Sequence, residues 1–98
     1  EVVILADPLY PDGFTPNGDG MNDIFKPIVN PLATIVELRV YNRWGDLVYD
    51  MSTASNKNGW DGTWAGVDQP SDEYVFYSKV SHPDGKEFLH EGPIAIIR

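Results

Sequence analysis

The fold is decided by a stretch that reads Ile35-Val-Glu-Leu-Arg-Val-Tyr-Asn42 and continues as Arg43-Trp-Gly-Asp46 and Leu47-Val-Tyr-Asp-Met51. Every second residue from Val36 to Val40 is apolar. This period places those side chains on one face of a β-strand. The glycine of the central segment supplies the positive φ that a tight turn requires. The sequence therefore predicts a hairpin of two strands with one buried face.

A second hairpin is predicted further along the chain. The segment Glu73–Val80 alternates in the same way, and Pro83-Asp-Gly85 is a turn triplet in which proline presets φ and glycine takes a positive φ. The chain returns as Lys86–His90 and closes with an apolar strand at Pro93–Ile97. One face of the first strand of this hairpin is predicted to carry Tyr74, Phe76, Ser78 and Val80.

The first part of the chain adds two further strands. Val2–Ala6 is short and apolar, and Asp7–Asp23 is an irregular segment rich in Pro, Gly, Asn and Asp. Ile24–Val29 is expected to be an edge or bent strand, because Pro27 has no N–H to donate to a ladder. About seven short strands between turns predict an all-β, Ig-like antiparallel β-sandwich. The length of 98 residues fits a single domain, residues 1–98.

The charge and composition exclude several classes of protein. The formal net charge is −8, with 7 Lys and Arg against 15 Asp and Glu. Such a chain lacks the positive surface that nucleic acids and anionic membranes attract. It contains no cysteine, which excludes disulfides, zinc thiolates and cysteine nucleophiles. A cationic partner or bound calcium suits an acidic domain better.

The sequence also lacks signals for membrane insertion. No run approaches the roughly 20 apolar residues of a membrane span, so direct membrane insertion is not expected. The start, Glu1-Val-Val-Ile-Leu5, has neither Met nor the basic region and cleavage site of a signal peptide. The chain is therefore expected to be a piece of a longer protein.

The stretch from Asn17 to Asp23 is the most site-like in the sequence. Oxygen side chains at Asn17, Asp19 and Asp23 alternate with small residues, and with a backbone carbonyl near Met21 they form a candidate calcium loop. Asp7 or Asp12 would complete the shell. The full EF-hand pattern is absent, and the favoured interpretation is a series of turns in which Asn and Asp side chains bond their own backbone.

Three tryptophans offer a sugar-binding interpretation, since exposed rings stack on sugar faces. Core or structural roles are favoured for Trp60 and Trp64, because buried aromatic side chains dominate the cores of small domains. Trp44 is expected to be half-exposed on a hairpin turn. With Arg43 beside it, Trp44 is the best candidate for partner contact, because Trp and Arg are enriched at interface hot spots.

No other cluster of residues predicts chemistry. His82 and His90 fall on opposite arms of the last hairpin, out of register with each other and without a third ligand, so solvated strand positions are predicted. Ser and Thr lie outside any nucleophile elbow, and Asn17-Gly-Asp-Gly20 lacks the lysine and helix of a phosphate loop. Asp72 and Glu73 form a solvated carboxylate pair. The sequence therefore predicts that the chain is not an enzyme.

The segment Gly92-Pro-Ile-Ala-Ile-Ile-Arg98 supports two interpretations that do not exclude each other. One interpretation is a strand buried on both faces. The other is a strand whose edge a partner extends by β-augmentation. Complete burial of Ile94, Ile96 and Ile97 would stabilise the fold by roughly 1.5–3 kcal/mol each. Loss of this segment would therefore unfold a small domain.

The chain resembles a known family in five segments that occur in order. Phe14-Thr-Pro-Asn-Gly-Asp-Gly-Met-Asn-Asp-Ile-Phe25 is similar to the entry motif of the gliding-motility-associated C-terminal domain, the type B sorting domain of Bacteroidetes surface proteins. The other segments are Val40-Tyr-Asn-Arg-Trp-Gly45, Gly59-Trp-Asp-Gly62, Tyr74-Val-Phe-Tyr77 with Asp84-Gly-Lys86, and Gly92–Arg98. One departure is Glu73, where the family tends to have glycine.

This resemblance implies a function in secretion. It implies a C-terminal sorting signal of a larger exported protein, which passes through the periplasm to the cell surface or the medium. The expected partners are the type IX translocon and an outer-membrane protein of the PorP/SprF type. A carbohydrate-binding module and a passive Ig-like spacer are the alternatives. The expected partner-binding residues lie in the entry motif, the hairpin turn and the terminal strand: Phe14, Arg43, Trp44, Ile94, Ile96, Ile97 and Arg98.

Overall fold

The computed structural model describes residues 8–18, 20, 23–54 and 59–98. These parts of the chain are all-β, which confirms the predicted fold class, and their arrangement is compatible with the predicted Ig-like sandwich. No helix in them has the length and apolar character needed to cross a membrane. The strands are β1 (Gly13–Phe14), β2 (Thr34–Tyr41), β3 (Leu47–Asp50), β4 (Thr63–Trp64), β5 (Val67–Asp68), β6 (Asp72–Ser81) and β7 (Glu87–Ile96).

One layer of the sandwich is a five-stranded sheet in the order β1-β7-β6-β2-β3. Its centre is the antiparallel pair β6–β7, which runs in unbroken register from Asp72 opposite Ile96 to Ser81 opposite Glu87. Tight turns at residues 42–46 and 82–86 join β2 to β3 and β6 to β7. Both hairpins predicted from the sequence are therefore confirmed.

The first described segment joins the two layers. Leu9 forms an isolated antiparallel bridge with Ile28, and the chain then enters the five-stranded sheet, where Phe14 of β1 pairs in parallel with Ile96 of β7. The second layer contains the two-stranded sheet β4–β5 and an antiparallel bridge between Phe25 and Trp60. The sequence predicted antiparallel pairing throughout, so the parallel pairing of β1 with β7 is a departure.

Aromatic side chains fill the space between the layers. Phe25 and Trp60 reach across to the sheet, with ring centroids 5.0 Å from Phe76 and 5.1 Å from Tyr74 respectively. Phe14 lies 5.5 Å from the Trp60 ring and closes the cluster. The structure makes one of the two predicted faces of β6 the core face. Its buried side chains are Tyr74, Phe76, Ser78 and Val80.

The predicted burial of Val36 is wrong. The ladder between β2 and β6 pairs Ile35 with Val80 and Glu37 with Lys79, so that Val36 is the extra residue of a β-bulge. A bulge breaks the two-residue alternation of side chains. Val36 is consequently exposed, and Ile35 packs against the core in its place.

Other strand boundaries also differ from the predictions. Ile24–Val29 contains two isolated bridges rather than a strand. Lys86–His90 and Pro93–Ile97 were predicted as separate strands but belong to the single strand β7. No strand was predicted at β4 or β5. The predicted strand Val2–Ala6 lies outside the residues that the structure describes.

Candidate partner-binding surface

The turn between β2 and β3 is built by the side chain of Asn42. Its Oδ1 accepts hydrogen bonds from the backbone N–H groups of Trp44 at 3.0 Å and Asp46 at 2.9 Å. The Gly45 N–H donates to the Asn42 carbonyl at 2.9 Å, and Gly45 has the predicted positive φ of 85°. Asn42 and the backbone therefore hold this turn without using the side chains of Arg43 and Trp44.

Those two side chains point into solvent at the tip of the hairpin. Trp44 is 74% exposed, considerably more than the half-exposure predicted. The Arg43 guanidinium lies 5.8 Å from the Trp44 ring centroid, and its Nη1 is 3.7 Å from Oδ1 of Asp72. These contacts orient an exposed aromatic ring beside a cation. Since the fold does not need this ring, the tip has the composition and exposure of an interface hot spot.

The terminal strand contributes less side-chain surface than expected. Phe14, Ile94 and Ile96 are buried in the core. The backbone of β7 is also paired with β1 here, through the Ala95 and Ile97 N–H groups, so the edge that a partner was expected to extend is already occupied. Ile97, which follows the last residue of β7, is 59% exposed, in contrast to the buried Ile96 before it. The interpretation of Gly92–Arg98 as a strand buried on both faces is therefore wrong.

Arg98 joins the end of β7 to three separate loops. Its Nε donates to the Gln69 carbonyl at 2.7 Å and its Nη2 to the Gly62 carbonyl at 3.0 Å. Its Nη1 donates to the Pro16 carbonyl at 3.3 Å, and its backbone N–H donates to Oγ of Ser71 at 2.9 Å. The sequence predicted Arg98 only as a partner contact, and a lone terminal arginine gave no signal for this structural function.

The motif Gly59-Trp60-Asp61-Gly62 is explained by packing. A Cβ on Gly59 would lie 2.5 Å from the Phe25 carbonyl oxygen, so only glycine allows the bridge beside it. Trp60 is fully buried and donates from Nε1 to the Thr63 carbonyl at 2.9 Å. The carboxylate of Asp61 accepts from the backbone and hydroxyl of Thr63.

The predictions for the other two tryptophans have different outcomes. The core position of Trp60 is confirmed. A core position for Trp64 is wrong, because Trp64 is 43% exposed on the β4–β5 hairpin. That hairpin has only two residues in each strand, which leaves Trp64 at the edge of its layer. Trp64 and Trp44 are therefore two exposed tryptophans in different places on the domain.

The histidines are out of register, as predicted. His90 pairs with Ser78, while the His82 N–H donates to the Lys86 carbonyl. The prediction that His82 is solvated is wrong, because it is buried with its ring centroid 4.6 Å from that of Phe88. His90 is exposed and stacks on Tyr10 at 4.4 Å.

The described part of the candidate calcium loop is organised by the carboxylate of Asp23. Oδ1 of Asp23 accepts from the backbone N–H groups of Asn17 at 3.1 Å and Gly18 at 3.0 Å, and Oδ2 accepts from Gly20 at 2.7 Å. These three bonds agree with the interpretation as turns, because backbone N–H donors occupy the Asp23 oxygens that a cation would need as ligands. Asp19 lies outside the described residues, and calcium binding stays a prediction.

The titratable groups with shifted pKa values do not suit catalysis. Burial, together with the charges of Asp61 and Asp50, raises the pKa of Tyr49 to about 12. Burial likewise raises the pKa of Tyr74. Both phenols therefore stay protonated at neutral pH and cannot act as bases there. Within the described ranges, no three His, Cys, Asp or Glu side chains lie together as a metal site would require.

Fold and surface together define a class of protein: a small β-sandwich module with an exposed aromatic tip, suited to recognition by another protein. Comparison with known families is more specific. The family described as CHU_C Type IX secretion signal domain matches residues 9–96. That span is nearly the whole chain, and the chain belongs to the type IX secretion signal domain family. None of the curated proteins compared with the chain matches it significantly.

Membership of this family establishes the general function. The domain acts as a sorting signal for type IX secretion, which implies interaction with the type IX machinery and export to the cell surface or extracellular space. The family is not an enzyme family. Nothing in the match favours the carbohydrate-binding or passive-spacer alternatives.

Proposed function

We propose that the type IX machinery recognises this domain in its folded state and that the tip of the β2–β3 hairpin is the main contact. The observation that carries this proposal is the 74% exposure of Trp44 in a turn that Asn42 and the backbone hold without it. An exposed tryptophan that stabilises nothing in the fold is free to be buried against a partner. Arg43 adds a cation beside it.

The partner and the route follow from the family resemblance. A PorP/SprF-type outer-membrane protein is the proposed receptor, and the parent protein passes through the periplasm before it crosses the outer membrane. Residues 1–98 act as one unit, the C-terminal part of a larger exported protein. The five motifs that carry the resemblance support this assignment, and one of them contains the tip.

The remaining predicted contact residues divide into two groups. Ile97 is exposed and belongs to the proposed contact surface. Phe14, Ile94 and Ile96 hold the shape of the domain through the core, and Arg98 does so through its backbone acceptors. Substitution of this second group would stop export by unfolding the domain rather than by removing a contact.

The test uses residues 1–98 fused to the C-terminus of a reporter that carries a periplasmic signal peptide. The reporter is expressed in a bacterium with a type IX system, and surface and medium fractions are measured. The variant is Trp44→Ala, and the matched control is Trp64→Ala, which removes the other exposed tryptophan. Truncation of a hot-spot tryptophan costs about 2 kcal/mol or more of binding, roughly a 30-fold loss of affinity.

The expected result is a large loss of export for Trp44→Ala and little change for Trp64→Ala. The purified Trp44→Ala variant should keep the melting temperature of the wild-type domain, because its ring is 74% exposed and lies outside the core. If the wild-type fusion is secreted and Trp44→Ala is exported equally well, the tip is excluded as the main contact.

A further inference from the structure

The outer face of the five-stranded sheet carries an apolar row that crosses four strands. Tyr41 of β2 pairs with Leu47 of β3 on one side and with Val75 of β6 on the other, and Val75 pairs with Pro93 of β7. Residues directly opposite each other on neighbouring strands place their side chains side by side. The row faces away from the core and begins beside the 42–46 turn.

This row is open to solvent and contains a depression. Val75 is 47% exposed and Pro93 is exposed, while Tyr41 and Leu47 are partly buried, so the row is most open at its β6–β7 end. A depression of about 310 Å³ is lined by Tyr41, Val75, Tyr77 and Glu91, and by Arg39, whose guanidinium lies 5.7 Å from the Tyr77 ring centroid. The face therefore offers both an apolar floor and a place for an inserted side chain.

The cations on this face are already paired. Arg39 lies 3.8 Å from Glu37 and 3.9 Å from Asp50. Lys79 lies 3.5 Å from Glu87. Arg43 at the tip is paired with Asp72, as described above. Each of these basic side chains therefore has an acidic neighbour within the domain.

Two carboxylates on the same face have no such pairing. Glu73 and Glu91 form no salt bridge with any residue in the described parts of the chain. Glu73 pairs with Ala95, two residues from the pair of Val75 and Pro93 in one direction, and Glu91 pairs with Tyr77, two residues away in the other direction. With a strand rise of about 3.3 Å per residue, the pairs that contain Glu73 and Glu91 lie about 13 Å apart along the strands.

We propose that the apolar row of Leu47, Tyr41, Val75 and Pro93 is part of the docking surface for the secretion machinery. The inference rests on the proposed function and extends the contact from the tip to the outer face of the sheet. The partner carries an apolar centre flanked by basic side chains about 13 Å apart, which pair with Glu73 and Glu91.

Size and charge favour a partner of this kind over a second copy of the domain. The face formed by the long strands β2, β6 and β7 covers roughly 450 Å², and the tip extends it toward the ~800 Å² per partner of a standard interface. Two copies placed face to face would bring the unpaired carboxylates of both domains into one interface. Each domain already carries a formal net charge of −8, so this association is opposed electrostatically.

The first experiment places a charge in the row and uses the reporter fusion. Val75→Lys puts a cation where a basic partner approaches, and Val67→Lys is the matched control. Val67 is a valine at 63% exposure on β5, on the other layer of the sandwich. We expect export of the Val75→Lys fusion to fall about tenfold or more, as for loss of a hot spot, with both purified variants as thermally stable as each other.

The second experiment tests the charge pattern. Glu73→Gln and Glu91→Gln remove the unpaired carboxylates, and Glu87→Gln removes a carboxylate on the same strand that is already paired with Lys79. We expect the first two variants to reduce export about three- to tenfold, mainly by slowing association. The third should have little effect. Equal effects of all three, or no effect of any, would overturn the proposal.

The outcomes separate this inference from the proposed function. If the wild-type fusion is not exported, the proposed function fails. If the wild-type fusion is exported and Trp44→Ala is not, while Val75→Lys behaves like Val67→Lys, only the sheet-face inference is overturned. Sedimentation of the wild-type chain provides a further check: a dimer that Val75→Lys converts to a monomer would show that a second copy occupies the face, and would also overturn it.

Discussion

Arg98 is predicted to stabilise the folded domain rather than to bind a partner. Its guanidinium donates to the backbone carbonyls of Gln69, Gly62 and Pro16, at 2.7, 3.0 and 3.3 Å. Three loops distant in sequence converge on this one side chain. The variant Arg98→Ala removes all three donors and leaves the carbonyls to water.

The size of the effect follows from these hydrogen bonds. A hydrogen bond from a charged donor contributes about 1.5–3 kcal/mol when enclosed. The Arg98 side chain is 27% exposed, and its ion pair with Asp68, at 3.9 Å, is screened by water. We therefore expect Arg98→Ala to lower the free energy of unfolding by about 2 kcal/mol in total. For a domain of this size that corresponds to a fall in melting temperature of about 8–16 °C.

Thermal unfolding followed by circular dichroism measures this effect. Arg98→Lys is the matched control, because it keeps the positive charge but cannot direct donors to three carbonyls at once. We expect Arg98→Lys to recover less than half of the loss. A melting temperature for Arg98→Ala equal to that of the wild type would refute the reasoning, and full recovery by lysine would assign the effect to charge alone.

The remaining predictions concern three other positions. Gly59→Ala should lower the free energy of unfolding by about 3 kcal/mol or more, because the new Cβ would lie 2.5 Å from the Phe25 carbonyl oxygen. The control Gly85→Ala places its Cβ within 4 Å of no atom beyond the neighbouring residues and should cost only about 1–2 kcal/mol of backbone strain. Equal losses of stability in the two variants would contradict this explanation. Burial raises the pKa of Tyr49 from 10 to about 12, so the folded state holds the phenolic proton more tightly than the unfolded state does. This difference contributes about 2–3 kcal/mol to the free energy of unfolding below pH 10, and the contribution is lost as the pH rises to 12. Urea unfolding should therefore show a smaller fall in stability over this range for Tyr49→Phe than for wild type, and parallel curves would contradict the assignment. Asp23→Ala should lower stability by about 1–2 kcal/mol in EDTA, because three backbone amides lose their acceptor; equal stability in EDTA with a difference only in calcium would show that the carboxylate serves a cation instead.

These predictions separate stability from recognition. Substitutions at Gly59 and Arg98 act on the fold, and any loss of export that they cause is indirect. Substitutions at Trp44 and Val75 leave the core intact and act on exposed side chains. A variant informs on recognition only if its melting temperature matches that of the wild-type domain.

Much of the fold could be predicted because local patterns carried it. The alternation along β6 separated the two faces of that strand correctly, and the structure buries one of them, as a period of two predicts for a half-buried sheet. The turn at Pro83–Gly85 was identified by residues whose φ preferences admit few other conformations. Trp60 was placed in the core because a large aromatic side chain between two turns has few alternatives.

The errors arose where distant parts of the chain determine the geometry. The bulge at Val36 depends on how β2 meets β6, and alternation within β2 alone cannot reveal it. The parallel pairing of β1 with β7 joins residues about 80 positions apart, and no local signal marks it. The function of Arg98 likewise depends on three carbonyls supplied by other loops.

The candidate surface was only partly predictable. The exposure of Trp44 followed from its place in a hairpin turn, and the residues Arg43 and Trp44 pointed to a hot spot by type alone. The apolar row was missed because it is a property of register: Tyr41, Val75 and Pro93 are unremarkable in sequence and become neighbours only across three strands. Charge patterning missed Glu73 and Glu91 for the same reason.

The central claim is that this domain is sufficient to direct a folded protein through the type IX system. The most direct test is to express the wild-type reporter fusion in an intact strain and in a translocon-null strain, with the cognate outer-membrane partner present in both. Reporter at the surface or in the medium of the intact strain alone is the predicted result. Reporter held in the periplasm of both strains, with the domain verified as folded and the partner as expressed, would contradict the account.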